Sequence, residues 1–421
     1  MKFFQIDGFS PRAVSVVFLI KVIAGVVLYI IYSHYYTDRN TADIFKYFDD
    51  SKVMYDTLFT KPRDFFQMIT GIGNDTPYFN QYYHQMNNWF RVFESNIYND
   101  SHTIIRVNAL MRVFSLGYYN VHTVFMCFLS LTGLVALYKF FVPFMRDRRR
   151  ELFFAVFLLP SVLFWGSGVL KEGILIFGMG MLIYYTDCLV RGKERIKSFL
   201  WLFASTILLL YVKFYVVATL FPLLIAHVWC VKTSYRHALL KYGGVLLIAA
   251  VAGLNLHYLL PQFDFVTIAV QKQHDFINLA NEVKSGSIIG MAPLEYSWIS
   301  LLKNTPQAFF NVLFRPFIFE SGSPLFLLAG AENIMIIFIA VVCLIYANFR
   351  PVNKGILSFA LIFALFTLAL TGLITPVIGA IVRYKVPALP FLIIALFLIF
   401  DKERFLRRFP FFERFLRDDG E

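Results

Sequence analysis

"LLPSVLFWGSGVLKEGILIFGMGMLIYY", Leu158 to Tyr185, is the stretch on which the fold turns. It is apolar almost throughout, yet Lys171 and Glu172 stand side by side near its middle, just behind Gly166 and Gly168. Charges placed in hydrocarbon are costly, so the pair belongs at a membrane surface or in a polar pocket. The Gly-Ser-Gly reads as the tip of a helical hairpin, with one span before it and another beginning at the charged pair. A helix that starts there points its unpaired N–H groups and positive dipole end outward. Convergent backbone amides and the Lys171 charge then make a seat for a phosphate. Glu172 lies about 100° around the helix from Lys171, so the two do not simply neutralise one another. The plainer alternative is that Lys171 snorkels to the headgroups and Glu172 offsets the dipole.

Similar apolar runs recur outward from this hairpin. The chain of 421 residues is 58% hydrophobic and holds 49 Phe, more than a soluble domain carries. Runs of roughly 20 apolar residues predict spans at about 12–33, 117–143, 151–166, 169–190, 198–213, 215–231, 242–260, 324–347, 355–374 and 383–400. The expected fold is all-α: a polytopic membrane protein of about ten transmembrane helices, in a single integral membrane domain covering 1–421. Short basic connectors at 146–150, 191–197, 232–241 and 348–354 fall on one side of this count. The positive-inside rule makes that side the cytoplasm, with both termini there. The net charge of +12 is accounted for by these clusters, which excludes nucleic-acid binding. The first span is expected to be retained, not cleaved as a signal peptide. The four cysteines show neither a disulfide framework nor metal-ligand spacing. The tail 401–421 alternates Phe and Leu with charge and reads as an amphipathic helix on the inner leaflet.

Two long loops, about 34–116 and 261–323, occupy the opposite, outer side. "DIFKYFDDSKVMYDTLF" and "SWISLLKNTPQAFFNVLFRPFIF" within them read as interfacial helices. Loops of this length are usually functional. Charged residues crowd the same side: Arg315 and Glu320 before span eight, Glu332 inside it, Lys213 in a tight turn, and Arg383 and Lys385 beside Tyr384 at span ten. An Arg315–Glu320 structural ion pair is the leading alternative to a binding role for those two. In loop one, Asp43, Tyr47 and Asp50 follow i, i+4, i+7 spacing and share a helix face, whereas Asp49 and Asp56 point elsewhere. A carboxylate above a basic intramembrane pocket suits general-base chemistry on a hydroxyl, with the basic groups holding a phosphorylated leaving group.

This pattern resembles the GT-C superfamily of membrane glycosyltransferases. "DIFKY", Asp43 to Tyr47, is similar to the acidic motif that opens their first outer loop. "LPSVLFWGSGVLKEG" resembles the Pro…Ser/Thr-x-x-Glu hairpin of several members, and "RYKVPALP" their Arg-Tyr…Pro segment. The resemblance implies a polyprenyl-phosphate-linked sugar donor, a glycan or lipid acceptor, an inverting displacement and a carboxylate base. Asp43 is the best match for that base, with Asp50 and Asp49 as further catalytic candidates. Lys171, Glu172, Lys213, Arg315, Glu320, Arg383 and Tyr384 are the candidate substrate-binding residues. Many members carry a second acid where Ile44 stands, so a divalent metal is possible but not required. O-antigen and exopolysaccharide polymerases look similar, and the many outer-face cations would suit two pyrophosphate-linked substrates. The expected location is a bacterial inner (plasma) membrane, in contact with its lipids. A transporter or flippase for an anionic lipid is the non-enzymatic alternative; it would usually show repeated halves, and none is found.

Overall fold

The computed structural model describes residues 2–36, 39, 42–90, 98–320, 324–350 and 352–416, with the side chains of 261, 415 and 416 excepted. Parts of both long loops (37, 38, 40, 41, 91–97 and 321–323) and the last residues of the expected tail (417–421) lie outside the described residues. Helices account for the regular structure; two isolated bridges, Ile288 with Val377 and Ala347 with Phe400, are the extended pairing among the described residues.

In chain order the helices are α1 (Pro11–His34), α2 (Asp43–Thr60), α3 (Pro62–Thr70), α4 (Asn80–Tyr83), α5 (Asp100–Ser115), α6 (Tyr119–Phe141), α7 (Arg149–Phe153), α8 (Pro160–Trp165), α9 (Lys171–Val190) and α10 (Arg195–Val212). They continue as α11 (Phe214–Lys232), α12 (Ala238–Leu259), α13 (Phe265–Glu282), α14 (Trp298–Phe314), α15 (Pro324–Ile345), α16 (Lys354–Ile374), α17 (Ile378–Tyr384), α18 (Leu389–Ile399) and α19 (Lys402–Arg408). Among the described residues, seven helical runs are long and apolar enough to cross a membrane, or eight if the α17–α18 pair, bent by 60°, is one span. These runs mark an integral membrane protein.

Contacts fix the helix directions. The Tyr29 ring lies 4.9 Å from that of Tyr119, and Phe18 lies 6.5 Å from Phe128, so α1 and α6 are antiparallel. Gly133 packs on the backbone of Ile176 and Phe177, and Ala136 packs with Met181, so α6 and α9 are parallel. Small residues allow this approach: a Cβ on Gly180 would collide with the Gly133 backbone. Parallel neighbours require the chain between them to return across the bundle, and residues 149–165 do so. They form a broken segment: α7, a wide turn over Phe154–Leu158, then α8 after the extended Leu159. Pro160 ends the first piece because it has no N–H to continue the ladder.

The run Arg195–Lys232 also reverses, at Lys213, whose φ of −154° and ψ of 88° break the helix. Lys213 shares Asp100 with Lys171 at the start of α9, whereas His227 meets Asp187 near the end of α9 at 3.0 Å. Those two positions on α9 are about 24 Å apart, so α10 and α11 are antiparallel. The basic connectors collect at the end opposite Lys171: Arg148 donates to the carbonyls of Phe397 and Leu398, and Arg191 pairs with Asp187. Phe405 and Leu406 of α19 are buried against Cys343 and Phe400, because the bridge at Ala347–Phe400 draws the tail onto α15 and α18.

Candidate functional site

At the Lys171 end the chain closes around a cavity of about 1800 Å³. Four of its walls are helix faces readable from their spacing. α11 contributes Tyr215, Ala218, Thr219 and Pro222; α12 contributes Leu246, Ala249, Ala250 and Gly253; α16 contributes Ile362, Phe366 and Leu370; α13 contributes Phe265, Ile268, Ala269 and Lys272. Each set repeats at three- and four-residue intervals and so lies on one side of its helix. The walls from α11, α12 and α16 are apolar but for the Tyr215 and Thr219 hydroxyls, and α13 adds Lys272 and Asp275. At the Lys171 end the walls carry Asp43, Lys46, Tyr47, Asp100, Trp165, Lys171, Glu172, Lys213, Arg383 and Tyr384.

Two ion-pair groups organise that polar end. In the first, Arg383 donates to Asp43 Oδ2 at 2.7 Å and, through Nε and Nη2, to Glu172 Oε1 at 3.3 and 3.2 Å. The guanidinium carbon lies 5.7 Å from the centre of the Trp165 ring. In the second, one carboxylate serves two lysines: Asp100 Oδ1 is 2.9 Å from Lys171 Nζ and its Oδ2 is 2.8 Å from Lys213 Nζ. Lys171 Nζ lies 4.7 Å over the Tyr47 ring and Lys213 Nζ 5.1 Å over the Tyr384 ring. Lys171 is buried and Lys213 half-buried; their bonds to Asp100 are charge-assisted, and aromatic faces flank both.

The local sequence explains how these groups are held. The Gly-Ser-Gly tip packs under α1: Lys21, fully buried, donates to the Gly166 carbonyl at 3.1 Å, and the Cys127 thiol reaches the Ser167 carbonyl at 3.5 Å. Any Cβ at Gly168 would strike Leu28. Glu332, expected only as an outer charge, anchors α8 by accepting from the Ser161 N–H at 2.8 Å and from its hydroxyl. Lys385 donates to Asn333 at 2.5 Å, and Asn333 holds the Pro316 carbonyl, which fixes the turn after Arg383. On the other side, Arg112 of α5 bonds Ser51 and the Phe48 carbonyl of α2, which orients Asp43.

Of the three candidate catalytic carboxylates, Asp43 reaches the cavity. Burial pushes its carboxyl up, but Arg383, Lys46 and Lys171 together hold it below the ordinary value, so it is ionised at neutral pH. Asp50 does not reach the cavity, although it shares a helix face with Asp43 and Tyr47. It lies two turns further along α2, where it accepts from the backbone N–H groups of Asn87 (2.8 Å) and Asn88 (2.9 Å) and from the Asn88 side chain. Burial raises its carboxyl against those bonds. It supports the cavity rim, which Asn87 and Asn88 line. Asp49 is bound by Arg39 at 2.6 Å on an exposed surface, and Asp56 is paired with Lys52 at 2.7 Å. Arg315 and Glu320 also lie off the cavity. They pair with each other at 3.3 Å, and Glu320 accepts from the Phe317 N–H, so the nearby aromatic turn uses both.

Asp100 was not singled out in the sequence. "YNDSH" reads there as a plain helix start: Asn99 caps Ser101 and Asp100 sits in the first turn. Nothing local separates a dipole-offsetting acid from the shared counter-ion of two lysines 71 and 113 positions away. The donor set does not suit a divalent cation. Asp43 and Glu172 face each other across Arg383, whose fixed charge would repel one, and among the described residues no three His, Cys, Asp or Glu side chains are grouped to hold a metal. No protein-family model, characterised protein or solved structure matches the chain.

Proposed function

We propose that the protein is a membrane glycosyltransferase that moves a sugar from a polyprenyl-phosphate-linked donor to a glycan or lipid acceptor at the outer face. One observation carries this reading: a single large cavity is charged at one end, apolar along most of the rest, and has an ionised carboxylate, Asp43, among the cations. An amphiphile with an anionic head and a long apolar chain matches both parts. The parallel α6–α9 pair and the reversal at Lys213 support ten crossings, with the basic connectors in the cytoplasm and the Lys171 end outside. GT-C proteins have the same general layout, which is a resemblance and adds to the physical argument. A translocation path would need polar or mobile groups across the membrane; here most of the cavity's charges collect at one end.

The reaction requires four changes. The acceptor hydroxyl oxygen bonds to the anomeric carbon. The anomeric carbon–phosphate oxygen bond breaks and its electron pair leaves on the phosphate. The hydroxyl proton passes to Asp43. Arg383, Lys171 and Lys213 hold the leaving phosphate and oppose its growing charge. At rest Asp43 is tied to Arg383. When the headgroup occupies Arg383, Asp43 is released and becomes a stronger base.

Transfer from an extract of the native membrane lipids, followed as release of the free lipid phosphate, tests this. Asp43→Asn should lower turnover about 10²- to 10⁴-fold with the donor still bound. Asp56→Asn, an exposed control, should be silent. Full activity in Asp43→Asn would remove the proposed base.

A further inference from the structure

We infer that the headgroup recognised here is a diphosphate, bound by exchange of both ion-pair groups; this rests on the proposed glycosyl-transfer reading. The cations form two separate sets, Arg383 and Lys46 around Asp43 on one side and Lys171 with Lys213 on the other. Three chain neighbours tie the sets together. Lys171 belongs to one and Glu172 to the other. Asp43 pairs with Arg383, while Tyr47, one turn along α2, lies under Lys171. Arg383 is followed by Tyr384, whose ring lies under Lys213. The two sets thus lie next to each other at the polar end of the cavity. Two adjacent cation sets suit two linked phosphates better than one.

Charge leads to the same conclusion. Each cation already has a carboxylate: Asp43 on Arg383 and Lys46, Glu172 on Arg383, Asp100 on Lys171 and Lys213. A ligand must replace these anions in place. A monophosphate engages one set and leaves the other closed by its own acid. A diphosphate engages both and carries more charge. Glu172 Oε2 is buried without a hydrogen-bond partner among the described residues, so this carboxylate relies on Arg383 through Oε1 and competes with any anion for it. Glu172 and Asp100 are therefore the resident competitors of the headgroup. Removing their charge should strengthen anion binding, the opposite of what loss of a direct contact would do.

The test is binding of farnesyl diphosphate, farnesyl monophosphate and inorganic diphosphate to the full-length protein in neutral-lipid nanodiscs. The diphosphate lipid should bind at least about tenfold more tightly than the monophosphate. Lys171→Met should abolish most of that difference, and Asp100→Asn and Glu172→Gln should each tighten the diphosphate several-fold, a gain that misfolding cannot imitate. Equal affinity for the two lipids, or weaker binding in both amide variants, would overturn the inference while leaving the anionic-head reading intact. No saturable binding of either lipid would overturn the proposed function as well. Inorganic diphosphate binding as tightly as the farnesyl ester would support the diphosphate site and overturn its lipid-linked part.

Discussion

Asp43 and Asp50 share a helix face, yet their environments set them apart. Asp43 is held below its ordinary value of 3.8 by Arg383 against the effect of burial, so its pair stabilises the fold above that pH and loses this as pH falls through the depressed value. Thermal unfolding of the wild type between about pH 5 and pH 2 should therefore fall more steeply than that of Asp43→Asn; parallel curves would mean that the ion pair contributes no stability. Asp50 has the opposite sign, since burial favours its neutral form. Asp50→Asn removes the acceptor of one part-buried N–H at the Asn87–Asn88 turn and should cost about 1 kcal/mol of stability while turnover per folded molecule stays near wild type. A loss of turnover as deep as in Asp43→Asn would restore Asp50 as a catalytic candidate. The residues legible in the sequence were those whose charge was anomalous in its setting: Lys171 and Glu172 within an apolar run, Lys213 between two others, Arg383 at a late span. Asp100 was illegible because a first-turn acid is locally ordinary, and Arg315 and Glu320, read as substrate-binding, instead pair with each other across a six-residue turn off the cavity.

Among the elements, α6 and α9 carry the closest approach and the clearest test. Gly180 and Gly133 permit backbone contact, so Gly180→Leu should sharply reduce the yield of folded protein, whereas Gly253→Leu, with nothing within 4 Å of its Cβ position, should fold normally. Gly253 is also on the cavity wall, so the leucine should slow turnover of long-chain donors more than short ones. Equal folding yields for the two variants, measured by size-exclusion chromatography in detergent, would contradict the packing account. Hydropathy revealed these helices because lipid-facing runs need apolar residues on most sides. It could not reveal that 149–165 is two pieces joined by a wide turn, or that α17 and α18 meet at 60°, because both breaks depend on prolines in context. The packing of the tail was not legible either: a face of Phe and Leu suits a bilayer and a protein groove equally well, and Phe405 and Leu406 are buried while Phe409, Phe411 and Phe412 are exposed.

For the whole molecule, the account requires the Lys171 end to be outside. The four cysteines are buried, so single added cysteines report topology cleanly. Thr76→Cys and Lys284→Cys, both at exposed positions, should react with a membrane-impermeant maleimide in intact cells, and Arg236→Cys only after permeabilisation. Ser101, in the outer loop by sequence, is unsuitable because it is buried. That the chain is an all-helical membrane protein was legible from hydropathy, which is summed over many residues. The cavity was not, since it depends on how faces of α11, α12, α13 and α16 meet. The most direct test of the central claim is mass spectrometry of the phosphorylated lipids that copurify with wild type, Asp43→Asn and Lys171→Met. The account predicts a sugar-bearing polyprenyl diphosphate that is enriched in Asp43→Asn, where it binds but does not turn over, and reduced in Lys171→Met. Bulk phospholipid alone in all three samples, with no enriched polyprenyl species, would contradict it.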